Sequence, residues 1–331
     1  MASDRERICA ERLGKTMFNK IGGQAVIEGV MMRAPGRVAT AVRRPDGTIT
    51  VRARDYRSVV ERFPFLRLPV LRGAVALFES LALGVGALMF SAEEAAEEEE
   101  KKGDASAGKE PAEGKGKKGG GGFSFALYGT LALSLLLGLA FFFYLPLMLT
   151  EWIGVKGGFL FNLIDGAIRL LFLFFYIFAI SRWKEMRRVL AYHGAEHKSI
   201  FNLESGTELS VANAQRFTTL HPRCGTSFLL IVALTSVFVF LFLGRPESIG
   251  ERFVRLAFVP VIAGLSYEVL KLTGRWADRP WMAPLVKPGL FLQTMTTVEP
   301  EDDQVEVGLA ALRAALGERL ERREELFHDV G

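Results

Sequence analysis

Cysteine is nearly absent from this chain. Two residues in 331, Cys9 and Cys224, cannot build a disulfide framework, and their unlike surroundings give no reason to pair them. A reducing compartment is therefore expected. A large charge excess is missing too. The formal net charge is +4, too small to call for a nucleic-acid partner, and the basic residues concentrate beside apolar runs, where membrane orientation accounts for them. No apolar stretch follows the opening Met-Ala-Ser-Asp-Arg-Glu-Arg, so no signal peptide is expected. The glycine-containing stretch Gly22–Arg33 matches neither a dinucleotide fingerprint nor a phosphate loop, which argues against nucleotide binding. Histidine is scarce, with four in all. That scarcity makes its placement informative: His193, His197 and His221 fall close to Cys224.

What the chain has in excess is apolar residues. They make up 50% of it, with 26 Phe and a mean hydropathy of +0.22. They are gathered in blocks, as membrane spans require. Four blocks approach the roughly 20 residues that cross a hydrocarbon core: 123–149, 159–180, 226–243 and 253–272. Short connections pair them as hairpins over 123–180 and 226–272. A fifth apolar block, 70–90, carries Arg72 and Glu79 two helical turns apart, so both charges share one face. A span, a re-entrant helix and an interfacial helix all fit it.

The polar segments have their own patterns. Residues 1–69 form an N-terminal region. Within it Val38–Val42 and Thr48–Val51 flank Pro45-Asp46-Gly47, which predicts a β-hairpin. Gly22–Arg33 reads as a short buried strand, with Glu28 a structural partner of Arg33 or, as the alternative, a polar group of the site. Residues 91–122 are rich in Glu, Lys and Gly without bulky apolar side chains and read as a disordered charged linker. Residues 181–225 form a loop region carrying the His and Cys residues. In 273–331, Pro288–Thr294 reads as a short strand or loop. A helix starts near Pro300, and Leu309, Leu312, Leu316 and Leu320 stripe one of its faces. That stripe fits core packing or a protein partner.

Lys and Arg near the apolar blocks set an orientation. Residues 181–225 hold seven, the two short connections three between them, and Arg52–Arg72 six arginines. Four spans put the N-terminus, the linker, the His region and the C-terminus on the cytoplasmic side. A fifth crossing would place the arginine-rich N-terminal region outside. The expected architecture is a polytopic α-helical protein of the cytoplasmic membrane, with four transmembrane helices, one membrane-associated or re-entrant helix and a small cytoplasmic α/β part.

The chemistry centres on Tyr192-His193-Gly194-Ala195-Glu196-His197-Lys198. His193 and His197 at i and i+4 share a helix face, one turn apart, as two imidazole ligands of one metal require. The order H-x-x-E-H is that of zinc peptidases in which the Glu serves as general base. His221 and Cys224 sit three apart just before an apolar span, near the electropositive N-terminus of a helix. Glu268 is an ionisable residue near the end of the last span and a functional candidate on that ground. The expected ligand set is His193, His197 and His221, with Cys224 or Glu268 completing it and Glu196 as base. Histidine-rich ligation suits a divalent metal, zinc first. Surface hydrogen bonding by the two histidines, or a Cys224–His221 dyad, are the alternatives. Asp165 and Arg169, at i,i+4 inside a span, are expected to neutralise one another.

At these residues the chain resembles the bacterial YqhQ-like family of uncharacterised membrane proteins, predicted to be metal-dependent enzymes. The resemblance runs from about Gly22 to Leu316 outside the linker. It rests on Gly22–Arg33, Tyr192–Lys198, His221–Thr226, Ser266-Tyr267-Glu268, and Pro288-Gly289-Leu290 through Thr296-Thr297. It implies a membrane-bound metal enzyme. The function expected is hydrolysis at the cytoplasmic membrane surface. The alternative is a non-enzymatic membrane adaptor with a structural metal. The partners expected are the lipid bilayer and a cytoplasmic protein bound through the C-terminal helix, with no nucleic acid.

Overall fold

The computed structural model describes residues 21–106, 120–276 and 279–317. Four strands, β1 (Gly22–Val26), β2 (Gly29–Ala34), β3 (Arg37–Arg43) and β4 (Ile49–Asp55), form one antiparallel sheet in chain order. The β3–β4 pair is the predicted hairpin, with Gly47 at φ +87° in its turn. The segment expected to be one strand is two. The chain reverses at Ile27-Glu28, so that Val26 pairs with Gly29.

Glu28 takes φ +52°, a left-handed conformation that costs a non-glycine residue energy. Arg188 holds its carboxylate with two N–H groups, and the Tyr192 hydroxyl donates to it at 3.2 Å. Arg33, the partner expected for Glu28, instead reaches Glu79 at 3.3 Å. Five extended residues carry Arg33 some ~17 Å along the strand from the turn, out of reach of Glu28.

The sheet is buried on both faces. Val30, Met32, Ala34, Ala39 and Ala41 alternate onto one face, and Met31, Val38 and Val42 onto the other. A short helix α1 (Val59–Arg62) leads to α2 (Leu71–Ser106). Leu83, Ala87 and Phe90 of α2 cover the second face. The helix continues well past Phe90, where the sequence pattern places the start of a linker. Arg44 bonds Glu94 at 2.6 Å on that continuation, so the first turns of the expected linker are ordered against the sheet. Residues 107–119 of that stretch lie outside the described residues.

The apolar helices follow. They are α3 (Gly120–Leu139), a π-helical turn at Ala140–Tyr144, α4 (Leu145–Ile153) and α5 (Gly158–Arg182). Then come α6 (Lys184–Glu204), α7 (Val211–Ala214), α8 (Gly225–Leu243), α9 (Ile249–Ala257) and α10 (Val259–Arg275). Among the described residues, five segments are long and apolar enough to cross a membrane: Leu71–Ala95, Ala132–Ile153, Gly158–Arg182, Gly225–Leu243 and Ile249–Arg275. Arg169 and Asp165 do pair, at 2.8 Å. Arg169 also reaches the carbonyls of Phe142 and Phe143 in the π-helical turn, where the i→i+4 bonds are interrupted.

Two C-terminal helices complete the fold, α11 (Ala283–Thr296) and α12 (Asp302–Leu316). Pro288–Thr294, read from sequence as a strand or loop, lies inside α11. Pro288 removes one helical hydrogen bond, but packing on the apolar helices keeps the segment helical. Leu292 is fully buried among Leu173, Ile177 and Leu230. α12 opens with a reciprocal capping box between Glu301 and Gln304. Leu309, Leu312 and Leu316 are buried with α6 against the first face of the sheet. Each such leucine contributes roughly 1.5–3 kcal/mol of burial. These three leucines of the stripe therefore pack the chain's own core; Leu320 lies outside the described residues.

Gly194 carries a testable consequence of this packing. A Cβ there would collide with the carbonyl oxygen of Val298 and press on Pro300 and Thr219, so α6 can approach the α11–α12 connection only with glycine in place. Gly194→Ala is expected to lose about 1–3 kcal/mol and to lower the thermal midpoint in detergent. Gly22→Ala, with nothing within 4 Å, is expected to leave the midpoint near that of the wild type.

Candidate metal centre

Helix α6 brings His193 and His197 together, their ring centroids 4.4 Å apart. Each ring is oriented by the backbone. His193 Nδ1 lies 2.7 Å from the Thr296 carbonyl, and His197 Nδ1 is bonded to the Thr219 carbonyl. A carbonyl can only accept, so both Nδ1 atoms carry the proton and both Nε2 atoms present a lone pair. His193 Nε2 is 3.2 Å from Cys224 Sγ. Cys224 is the N-cap of α8, where its sulfur accepts the Thr226 N–H at 3.4 Å. The three ligand atoms all lie within 4.8 Å of one another. Imidazole N–H groups held by carbonyls, with Nε2 free, are the usual outer support of a metal-binding histidine.

Glu196 is buried beside this trio. Burial pushes its pKa up, against the opposing pull of His193, His221 and the Gly23 N–H. Gly23 is needed there: a Cβ on it would lie 2.9 Å from the Glu196 carboxyl carbon and 2.6 Å from the Met31 oxygen. The Gly22-Gly23 motif of β1 thus shapes one wall of the site.

His221 stands behind His197, with ring centroids 5.6 Å apart. Its Nδ1 accepts the Arg223 N–H at 3.3 Å, so Nε2 carries the proton. Burial lowers its pKa to about 4, against the opposing pull of Glu196. The 3.6 Å approach of Nε2 to the Glu204 carboxylate is therefore not an ion pair near neutral pH, and it is too long for a hydrogen bond. Gln293 clamps the His221 backbone, accepting from its N–H and donating to its carbonyl, both at 2.8 Å.

Three of the expected ligands, His193, His197 and Cys224, are thus gathered, and two are not. His221 gives its Nδ1 to the Arg223 N–H and is not among the three ligand atoms that meet. Glu268 is held by Arg72 of α2 in a two-pronged ion pair. That partner is 196 positions away, which is why the sequence left the carboxylate looking free. Sequence reasoning also missed Thr219, Thr296 and Gln293. The first two act through backbone carbonyls, which leave no residue-type signal. Gln293 lay within a recognised motif but had no assigned contact.

Several buried polar atoms lack a partner among the described residues, and three of them adjoin here. Glu196 Oε2, His197 Nε2 and His221 Nε2 are buried without a hydrogen-bond partner. Buried polar atoms in native proteins are overwhelmingly partnered, by protein, water or an ion. Three such atoms on adjoining side chains mark a place built to receive something polar.

A profile of a protein family of unknown function, DUF1385, matches residues 68–318. The chain is also 35% identical over 326 residues to the uncharacterised protein YqhQ of Bacillus subtilis (strain 168), covering 92% of this chain and 94% of that protein. No solved structure matches.

The contact between β1 and Glu196 can be tested by a double-mutant cycle. Gly23→Ala is expected to destabilise by about 1–3 kcal/mol through overpacking. In a Glu196→Ala background much of the carboxyl that it strikes is gone, so the loss should shrink by at least about 0.5 kcal/mol. Additive losses in chemical or thermal unfolding would mean that the two residues do not touch.

Proposed function

The chain belongs to the DUF1385 family; from the geometry of the site and the apolar helices we propose that it is a membrane-bound, metal-dependent hydrolase working at the cytoplasmic surface of the cell membrane. The observation that carries the reading is the trio His193 Nε2, His197 Nε2 and Cys224 Sγ, with both Nδ1–H groups held by carbonyls. The donor set fits zinc: two imidazoles and a sulfur are ligand types it favours, and three protein ligands with one open position are the pattern of catalytic sites. A zinc ion held there would supply Lewis acidity that brings the pKa of a coordinated water toward neutrality.

The protein's own groups do the rest. Glu196 is the proton acceptor, and burial raises its proton affinity toward the range useful at neutral pH. The Gly23 N–H holds the carboxylate in place. Neutral His221 offers its Nε2–H as a donor without adding charge. The surrounding burial excludes bulk water and strengthens each of these interactions.

Four spans with both described ends on one side agree with the packing. From Glu79 to Glu94, α2 lies on the sheet, with Arg33 and Arg44 bound to those two acids. A helix covered by a sheet bearing exposed Arg52 and Arg54 is poorly placed in hydrocarbon. This supports α2 as the one membrane-associated helix and the other four apolar segments as spans. The excess of Lys and Arg on the His-bearing side supports a cytoplasmic orientation. The rival reading, an adaptor with a structural metal, requires a fourth protein ligand and no open position.

Two measurements test this. Detergent-purified wild type is expected to carry about one equivalent of zinc. His193→Ala and Cys224→Ser should lose it, whereas Glu196→Gln keeps the metal but loses about 10²–10⁴-fold of any ester or peptide hydrolysis. A wild type that binds no metal after loading would sink the reading. For topology, cysteines placed at Lys156 and Arg54 are expected to react oppositely with an impermeant maleimide on intact cells, Lys156 labelled and Arg54 protected.

A further inference from the structure

We propose that the corner between β4 and α2 is a docking surface for anionic phospholipid headgroups. The inference rests on the membrane reading above and adds to it a lipid preference and the residues responsible.

Three apolar side chains project outward here. Phe63, Phe65 and Leu68 are 42%, 62% and 58% exposed. The two ring centres lie 6.1 Å apart, with the rings tilted by 52°. Arg57, Arg62 and Arg67 surround them and are also exposed. From Arg52 to Arg67 five arginines are opposed by only Asp55 and Glu61. The Arg62 guanidinium lies 5.6 Å from the centre of the Phe63 ring. Arg67 donates to the carbonyls of Val60 and Glu61 and so ties the corner to α1. Apolar wedges ringed by cations are the composition that settles into the headgroup region of a negatively charged leaflet.

The position of the corner agrees with its composition. Immediately after it, α2 meets α10. A Cβ on Gly73 would lie 2.9 Å from the Gly264 Cα, and Arg72 grips Glu268. Beyond Glu268 this end of α10 carries Lys271 and Arg275, which mark a membrane–water boundary. The corner is therefore held beside the charged end of an apolar helix, at headgroup level. α2 continues the same surface, with Phe78, Leu81 and Leu88 exposed opposite the face that covers the sheet.

Hydrogen exchange read by mass spectrometry tests this on the full chain, in single-copy nanodiscs of phosphatidylcholine alone or with phosphatidylglycerol. Amides of residues 57–70 are expected to exchange at least about fivefold more slowly with the anionic lipid, since each arginine near such a surface gains roughly that factor. Arg57→Gln with Arg62→Gln should cut the difference between the lipids at least about fivefold. Arg67 is left in place because it supports α1. Phe63→Ser with Phe65→Ser should remove protection in both lipids. Equal wild-type exchange in the two lipids would overturn the proposal. So would protection that appears only in discs holding two copies, which would make this surface a contact between chains. A chain that stays in solution without detergent would refute the membrane reading itself, an outcome distinct from the loss of lipid preference.

Discussion

Two imidazole N–H groups given to two backbone carbonyls organise this molecule. The carbonyls come from opposite directions in the chain. Thr219 lies in the segment that leads into α8, and Thr296 ends α11. By accepting from His193 and His197 they join α6, the His221–Cys224 turn and the C-terminal helices at one point. The same two bonds decide the chemistry, because they leave both Nε2 lone pairs pointing toward Cys224. Were either ring free to rotate, the trio would be one conformer among several. Gln293 reinforces the joint by clamping the backbone of His221.

The sheet closes the site from the other side. β1 passes so near Glu196 that only glycine fits at position 23. The turn that returns β1 to β2 is held by Arg188 and Tyr192, which stand on α6 just before His193. One helix therefore presents the paired histidines, the buried carboxylate and the anchors of the sheet's first turn. α12 and the other face of α6 bury the sheet, and α2 covers its far side. The Thr296 joint and the Arg72–Glu268 ion pair are two of the places where the sheet layer and the apolar helices are tied together.

That second joint explains why α2 is ambiguous by composition. It is apolar on two opposite faces, one covered by the sheet and one exposed. Such a helix has the mean hydropathy of a span while one of its faces packs on a sheet. Length and hydropathy average over both faces, whereas the packing of Glu79, Leu83, Phe90 and Glu94 shows which residues meet the sheet side.

Much of this was already written in the residues. Block hydropathy marked the long apolar helices, because a run of about 20 residues with few charges is a local property. The i,i+4 spacing placed His193 and His197 on one face, and Pro-Asp-Gly marked the β3–β4 turn, since both are short-range geometry. Cys224 was drawn into the candidate set by its nearness to His221 along the chain. Tertiary structure alone decided which candidates meet. Glu268 went to Arg72, and His221 turned its Nδ1 to a backbone N–H two residues away. Glu28 bound Arg188 rather than Arg33, and the leucine stripe of α12 found the sheet. A carboxylate or an apolar face carries no mark of its partner, and those choices depend on distances between residues far apart in the chain. The sequence by itself determined the elements and the kinds of ligand on offer. The fold determined which three stand within reach of one ion, because backbone carbonyls from two distant segments set the angle of each ring.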